Sequence, residues 1–286
     1  MAKTWLVTGA AGGLGRAVAE AILGHGDNLV AGARDPARLE DLHRHYGNSI
    51  LPIAMDVANP DDVRAAVDAG LAKFGSIDVL VNNAGYGIAA AFEQTSAEAF
   101  EAQIATNLFG TAHGMRAVLP HMRRQRSGTV INVSSAGGRR AVPGFSAYCA
   151  AKFAVGGLSE VVAQEAAPFG VRVVAVEPGS MRSNFANVAL ATAPLPDQDY
   201  EASVGTFLAA FRDVNGHEAA DLSKVAAVIL SLPDHPTLPA HLVLGSDAFT
   251  LVRAANEQSD ASMLAWEKVS RSTDADDADL SWLKDF

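Results

Sequence analysis

The sequence predicts an α/β fold: one domain built on a doubly wound parallel sheet of about seven strands, with helices on both faces. Two patterns carry that prediction. Short continuous apolar runs, each closed by Gly, Asn, Ser or Pro, alternate along the chain with longer segments of helical periodicity. No linker, composition break or internal repeat divides the 286 residues, so the alternation reads as one series of βαβ units.

The expected strands, in order, are TWLVTG (4–9), NLVAGA (28–33), ILPIAMD (50–56), IDVLVNNAG (77–85), GTVINVSS (128–135), VRVVAVEPG (171–179) and HLVLG (241–245). Each is apolar along its whole length, as a strand covered on both faces must be. Helices are expected over 13–25, 36–45, 60–74, 97–125, 146–169 and 218–231. In NPDDV (59–63) the Asn reads as an N-cap, with Pro at the first helical position and two acids in the first turn. Residues 184–217 have weak periodicity and many small side chains, and an insertion of that length in a compact domain points to a functional segment. Beyond 246 a helix is expected around 251–271, anchored by Leu264 and Trp266, followed by the solvated acidic run TDADDAD (273–279).

Composition narrows the function. The chain is 49 % hydrophobic and 19 % charged, with a net charge of −10, which argues against nucleic acid and anionic membrane surfaces as partners. A single cysteine, Cys149, excludes an internal disulfide and fits a reducing compartment. The apolar run at the N-terminus is too short for a signal peptide, and no stretch reaches the ~18 apolar residues of a membrane span. A soluble, cytoplasmic protein is the expectation. The histidines show no ligand spacing, so no metal site is expected.

The chemistry begins at TGAAGGLG (8–15), where a strand ends and a helix opens. Gly9, Gly13 and Gly15 allow a sharp turn and close approach of a ligand, and the helix start behind them offers N–H groups and a positive dipole end to a pyrophosphate. At the end of the second strand, AGARDPARL places Ala33, Arg34 and Asp35 in line. A carboxylate there would hold a ribose 2′-OH and favour NAD, whereas a guanidinium would hold a 2′-phosphate and favour NADP. Pro36 is expected to start a helix with Asp35 as its N-cap, which leaves Arg34 to face the ribose. NADP(H) is therefore favoured, with NAD(H) the alternative.

In SAYCAAKFAVGG (146–157), Tyr148 and Lys152 stand four apart in a helical segment and share a face. A phenol with a pKa near 10 is a poor base at neutral pH; a neighbouring ammonium stabilises the phenolate and brings the group toward useful acid–base work.

Taken together, TGAAGGLG (8–15), DV (56–57), NNAG (82–85), Asn107, VSS (133–135), YCAAK (148–152) and PGSMRS (178–183) resemble the short-chain dehydrogenase/reductase family, closely over 4–183 and loosely at LGSDA (244–248). The resemblance implies a Rossmann-type fold, placed over about 1–250; the 184–217 insertion is expected to be a mobile substrate lid, and 251–286 a C-terminal helical extension and acidic tail packed on the same domain. It implies Tyr148 and Lys152 as the catalytic pair, a serine thirteen residues before the tyrosine (Ser135 rather than Ser134), and Asn107 holding a water that links Lys152 to solvent. For the cofactor it implies Thr8, Gly9, Gly13, Leu14, Gly15, Arg34, Asp56, Val57, Asn83, Ala84, Gly85, Tyr148, Lys152, Pro178, Gly179 and Ser183. One departure stands out: members that use NADP often carry a second basic residue in the glycine turn, where this chain has Gly12; Arg38 is the residue placed to assist. The expected activity is hydride transfer between NADP(H) and a carbonyl or secondary alcohol, on a substrate that GIAAAF, AVPGF and VALATA suggest is hydrophobic. A homodimer or homotetramer through 97–125 and 146–169 is implied by resemblance. The rival readings are an NAD-dependent alcohol dehydrogenase of the same fold and a non-catalytic dinucleotide sensor.

Overall fold

The structure, a computed structural model, describes residues 2–191, 194 and 196–285. Positions 192, 193 and 195 of the expected lid, with the end of its VALATA run, lie outside the described residues. Seven strands form one sheet: β1 (Thr4–Thr8), β2 (Asn28–Ala33), β3 (Ile50–Ala54), β4 (Val79–Asn82), β5 (Gly128–Val133), β6 (Val171–Pro178) and β7 (His241–Leu244). Every pairing is parallel and the spatial order is β3-β2-β1-β4-β5-β6-β7. The winding direction reverses between the neighbours β1 and β4, so a crevice opens at their carboxyl ends, where such sheets bind ligands.

The helices are α1 (Gly13–His25), α2 (Glu40–Tyr46), α3 (Pro60–Phe74), α4 (Ala97–Ile104), α5 (Gly110–Gln125), α6 (Ser146–Ala166), α7 (Phe185–Ala191), α8 (Thr206–Val214), α9 (Leu222–Ser231), α10 (Ser246–Ala265) and α11 (Glu267–Arg271). They cover both faces, and the period-two alternation of each strand divides its side chains between two cores. Trp5 and Val7 join Leu29, Ile131 and Val174 against Val18 and Ile22 of α1 and Val225 and Ile229 of α9. Leu6 points the other way, into a core with Val30, Leu80 and Val130 under Val67 of α3, Met115 and Val118 of α5 and Val162 of α6. Leu6 is fully buried, so its truncation to Ala should cost about 2–5 kcal/mol.

Local signals place the helix ends. Asn59 caps α3 by accepting from the Asp61 N–H at 3.0 Å, and Gly75 closes it in the left-handed region. Asp35 caps the next segment as expected, accepting from the Ala37 N–H at 3.2 Å. The helix expected over 36–45 is a 3₁₀ turn (Pro36–Leu39) running into α2. That expected over 97–125 is interrupted by a π turn over Ala105–Phe109. The helix expected from 218 begins at Leu222, because the Asp221 carboxylate accepts from the N–H groups of Ser223 and Lys224 and sets the start there.

One segment is more ordered than its periodicity suggests, and one expectation needs correction. The 184–217 segment, weakly periodic in sequence, carries α7, a 3₁₀ turn (Gln198–Tyr200), a π turn (Glu201–Gly205) and α8. Its apolar side chains do not face the sheet; they gather in a separate cluster around Phe145 and Leu208. Leu264 and Trp266 do not anchor the C-terminal helix, since each is 63 % exposed. Helix α10 starts beside the edge strand β7 and runs past the sheet, so only Ala248 and Val252 near its start are buried. Among the described residues, no helix is long and apolar enough to cross a membrane.

Candidate active site

The carboxyl ends of β1, β4, β5 and β6 bring the motif residues to one edge of the sheet. At β1 the backbone turns through Gly9 (φ 68°) and Gly13 (φ 53°). Gly15 has no room for a side chain: a Cβ would stand 2.2 Å from the Gly9 carbonyl oxygen and 2.5 Å from Asn83 Nδ2. Leu14 turns its side chain into the core. Helix α1 begins at Gly13 behind the cap position Gly12, with no side-chain cap and no acidic residue in its first turn. Its leading N–H groups and dipole are thus left for an anion, and the turn fits the diphosphate of a dinucleotide.

Thr8 and Asn83 brace this turn. Thr8 Oγ1 accepts from the N–H groups of Asn83 and Ala84, both at 2.9 Å, and Asn83 Nδ2 donates to the Thr8 carbonyl at 3.0 Å. These side chains serve the shape of the turn. Gly85, exposed, lies above Asn107 and Lys152, its Cβ position 3.1 Å from Asn107 Oδ1 and 3.6 Å from Lys152 Nζ. Asp56 is exposed and ties one carboxylate oxygen to the Ala58 N–H at 3.0 Å. Val57 is buried against Gly110 and its carbonyl pairs with His113 Nδ1 at 2.9 Å, so its N–H is what it offers a ligand.

At the ribose end, Asp35 is occupied by its cap. Arg34 is exposed and makes no hydrogen bond or ion pair among the described residues, and its positive charge is felt by the phenol of Tyr86, which burial pushes up. Arg38 Nη2 lies 3.6 Å from the Cβ position of Gly12. A guanidinium from the helical segment therefore fills the space that a basic residue in the glycine turn would take.

The head of α6 carries the pair. Lys152 is 4 % exposed and donates from Nζ to the Val133 carbonyl at 2.7 Å, at the end of β5. The same ammonium stands 5.7 Å from the centroid of the Tyr148 ring, so the two side chains converge. Ser135 follows β5, and its Oγ accepts from the Gly137 N–H at 3.0 Å. The Cβ position of Gly137 is within 3.4 Å of both Ser135 Oγ and the Tyr148 ring, which places serine and tyrosine side by side. Ser134 faces the other way and donates to the Lys152 carbonyl at 2.9 Å, pinning the strand end to α6. The structure thus separates the two serines that adjoin in sequence.

Electrostatics departs from the simple expectation for the pair. Burial pushes the Tyr148 phenol up to about 12, against a smaller downward pull from Ser135. Burial also lowers the Lys152 ammonium to about 8. Desolvation dominates both shifts, because the half-buried phenol packs among aromatic rings and the buried Lys152 spends its hydrogen bond on a neutral carbonyl. In this state Tyr148 is a protonated phenol, fit to give a proton. Cys149, beside it, is buried and its thiol is pushed up by burial, as an inert small residue would be.

Asn107 is fully buried at the π turn, with Oδ1 accepting from the Tyr86 N–H at 3.0 Å and Nδ2 donating to the Tyr86 carbonyl at 2.8 Å. Its amide ties the π turn to the loop after β4, and each of its two polar atoms keeps a second hydrogen-bonding position. A π turn at a functional position is a recurrent device, and no sequence pattern signalled this one. Pro178 ends β6 and Gly179 follows it. Ser183 Oγ accepts from the Phe185 N–H at 3.2 Å, and its Cβ lies 3.9 Å from the Cβ position of Gly13, across from the glycine turn. Sequence reasoning missed Phe185, whose ring lies 5.3 Å from that of Tyr148 and reaches Gly87, where a Cβ would be 2.8 Å from the ring tip. With Phe145, Phe207 and Phe211 it makes the surroundings of Tyr148 aromatic.

The family model described as short chain dehydrogenase matches residues 3–193. The chain belongs to that family. As a short-chain dehydrogenase it is an oxidoreductase. It is similar to the oxidoreductase BOA17 of Botryotinia fuckeliana, 41 % identical over 271 residues that cover 94 % of this chain and 98 % of the relative. A solved short-chain dehydrogenase from Streptomyces avermitilis is 39 % identical with a TM-score of 0.87, covering 96 % of this chain and 100 % of that one. The 3-ketoacyl-(acyl-carrier-protein) reductase of Brucella melitensis, solved with NADH, is 28 % identical with a TM-score of 0.71, covering 85 % of this chain and 96 % of that one.

Proposed function

We propose that the protein interconverts a carbonyl and a secondary alcohol on an apolar small molecule with NADP(H), Tyr148 moving the proton. The observation that carries this reading is the meeting of Ser135, Tyr148 and Lys152 beside the uncapped start of α1. Gly9, Gly13, Leu14 and Gly15 would hold the diphosphate by backbone N–H groups. Asp56 and Val57 would border the adenine, Asn83, Ala84 and Gly85 the middle of the cofactor, and Pro178, Gly179 and Ser183 the nicotinamide end. When bound, that cofactor supplies or accepts the hydride.

In the reductive direction the Tyr148 hydroxyl gives its proton to the carbonyl oxygen as the carbon receives hydride. Ser135 donates a hydrogen bond to the same oxygen and orients it. Lys152, held by Val133, stabilises the phenolate left on Tyr148 until a proton returns from solvent. Asn107 acts by holding the Tyr86 backbone beside the site.

The similar Brucella reductase is complexed with NADH, so the shared fold supports a nicotinamide dinucleotide. NADP(H) is favoured here because Asp35 is used as a cap, Arg34 after β2 is exposed, and Arg38 brings a guanidinium to the glycine turn. The aromatic lining from Phe145, Phe185, Phe207 and Phe211 supports a hydrophobic substrate, and the segment over 184–217 is read as its lid. Exposed Phe109, Phe153 and Val161 support association through the long helices. A cytoplasmic location suits the same reading.

The test is NADPH oxidation with a panel of apolar ketones and aldehydes, with Tyr148→Phe as control. Turnover that falls about 10²–10⁴-fold in the variant supports the reading. Tight cofactor binding with no turnover on any carbonyl would favour the dinucleotide sensor instead.

A further inference from the structure

We infer that Asp247 is a positioning residue: from the head of α10 it locks the turn after β6, and with it both ends of the 184–217 segment, against the site. The inference takes that segment as the lid proposed above and adds what holds it in place.

Asp247 Oδ2 accepts two hydrogen bonds from one residue, the Ser180 N–H at 2.8 Å and the Ser180 hydroxyl at 2.6 Å. The carboxylate occupies the space beside Gly179, where a Cβ would stand 2.3 Å from Oδ1, and beside Gly245, at 2.7 Å. Glycine at these two positions is therefore what lets α10 approach the end of β6. Oδ1 itself is buried and has no hydrogen-bond partner among the described residues. Burial pushes this carboxyl up, but the pull of the Ser180 hydrogen bonds and of the backbone at the start of α10 outweighs it and leaves the group below its ordinary value. It stands as a carboxylate, and bonds to an ionised acceptor are the stronger kind.

From Ser180 the connection passes to both ends of the lid. The Ser180 carbonyl accepts from the Ala220 N–H at 2.9 Å, and the Ala220 carbonyl accepts from the Arg182 N–H at 3.1 Å. Met181 and Ala220 thus form a parallel bridge across the two ends of the segment. Arg182 Nε adds a bond to the Glu218 carbonyl at 3.1 Å, and the buried Glu218 side chain accepts from the Gly216 N–H at 2.9 Å. One carboxylate on a helix outside the lid therefore fixes the place where the lid enters and leaves the fold. Asp247 does not face Tyr148, and it acts through Ser180.

Hydrogen–deuterium exchange on the full chain without cofactor or substrate reads this directly. Asp247→Ala should speed exchange across 180–220 by about tenfold or more, the worth of a charge-assisted bond pair, with β1, β4 and β5 unchanged. Asp247→Asn, which keeps an oxygen acceptor for Ser180, should restore most of the protection. Exchange in 180–220 equal to wild type in a folded Asp247→Ala chain overturns the inference. Should that variant loosen the whole sheet, Ser180→Ala decides: faster exchange confined to 180–220 supports the inference, and unchanged or uniformly faster exchange overturns it. Since no substrate is needed, failure here is distinct from failure of the proposed activity, which NADPH turnover by the wild-type chain judges separately.

Discussion

Replacing Lys152 by Met separates the cost of the buried ammonium from its use. Lys152 is 4 % exposed, and burial brings its pKa from 10.5 to about 8. That gap corresponds to about 3 kcal/mol charged against the folded chain at neutral pH. The sign follows from the protons. Between pH 8 and 10.5 the unfolded chain keeps a proton that the folded chain has released, so wild-type stability rises with pH through that window. Below pH 8 the penalty stands in full. Methionine has similar length and no charge, so the variant lacks this dependence. Urea unfolding of both proteins without cofactor, from pH 7 to 10, should show the variant's relative advantage shrinking by about 2–3 kcal/mol as pH rises. Loss of the 2.7 Å bond to Val133 shifts the whole difference by a constant and leaves its slope untouched. Tyr148, held at about 12, titrates above the window in both proteins. A stability difference that stays flat from pH 7 to 10 would refute the buried-ammonium account. Carbonyl reduction should meanwhile fall about a hundredfold or more in the variant.

Tyr148→Phe keeps the ring contacts with Phe145 and Phe185 and loses only the hydroxyl; its melting temperature should shift by about 2–4 °C, for one hydrogen bond of about 1 kcal/mol, despite the loss of turnover. Arg34→Ala should raise the NADPH KM about tenfold or more and leave the NADH KM within about twofold; equal NADPH values in variant and wild type would sink the cofactor assignment. Gly15→Ala drives a Cβ onto the Gly9 carbonyl oxygen, so cofactor affinity measured by fluorescence titration should drop on the order of a hundredfold.

The chain order of apolar runs and amphipathic segments was enough to determine the sheet. All seven expected runs contain the observed strands, because a strand covered on both faces must be apolar along its length. Asp35 and Asn59 were legible as caps for a similar reason, since a cap acts on N–H groups within three residues of itself. The pair Tyr148 and Lys152 was legible because helical periodicity puts them on one face. What lay beyond the sequence depends on contacts between distant segments. Burial rather than the nearby ammonium sets the state of Tyr148, and burial is decided by Phe145, Phe185 and the ends of the sheet together. The amide of Asn107 goes to Tyr86 because a π turn, invisible in residue type, aims it there. Leu264 and Trp266 look like core residues in sequence and stand in solvent, since α10 leaves the edge of the sheet before reaching them. Local periodicity and capping are written within a few residues of each other, whereas desolvation and the partner of each buried polar group are properties of the packed whole.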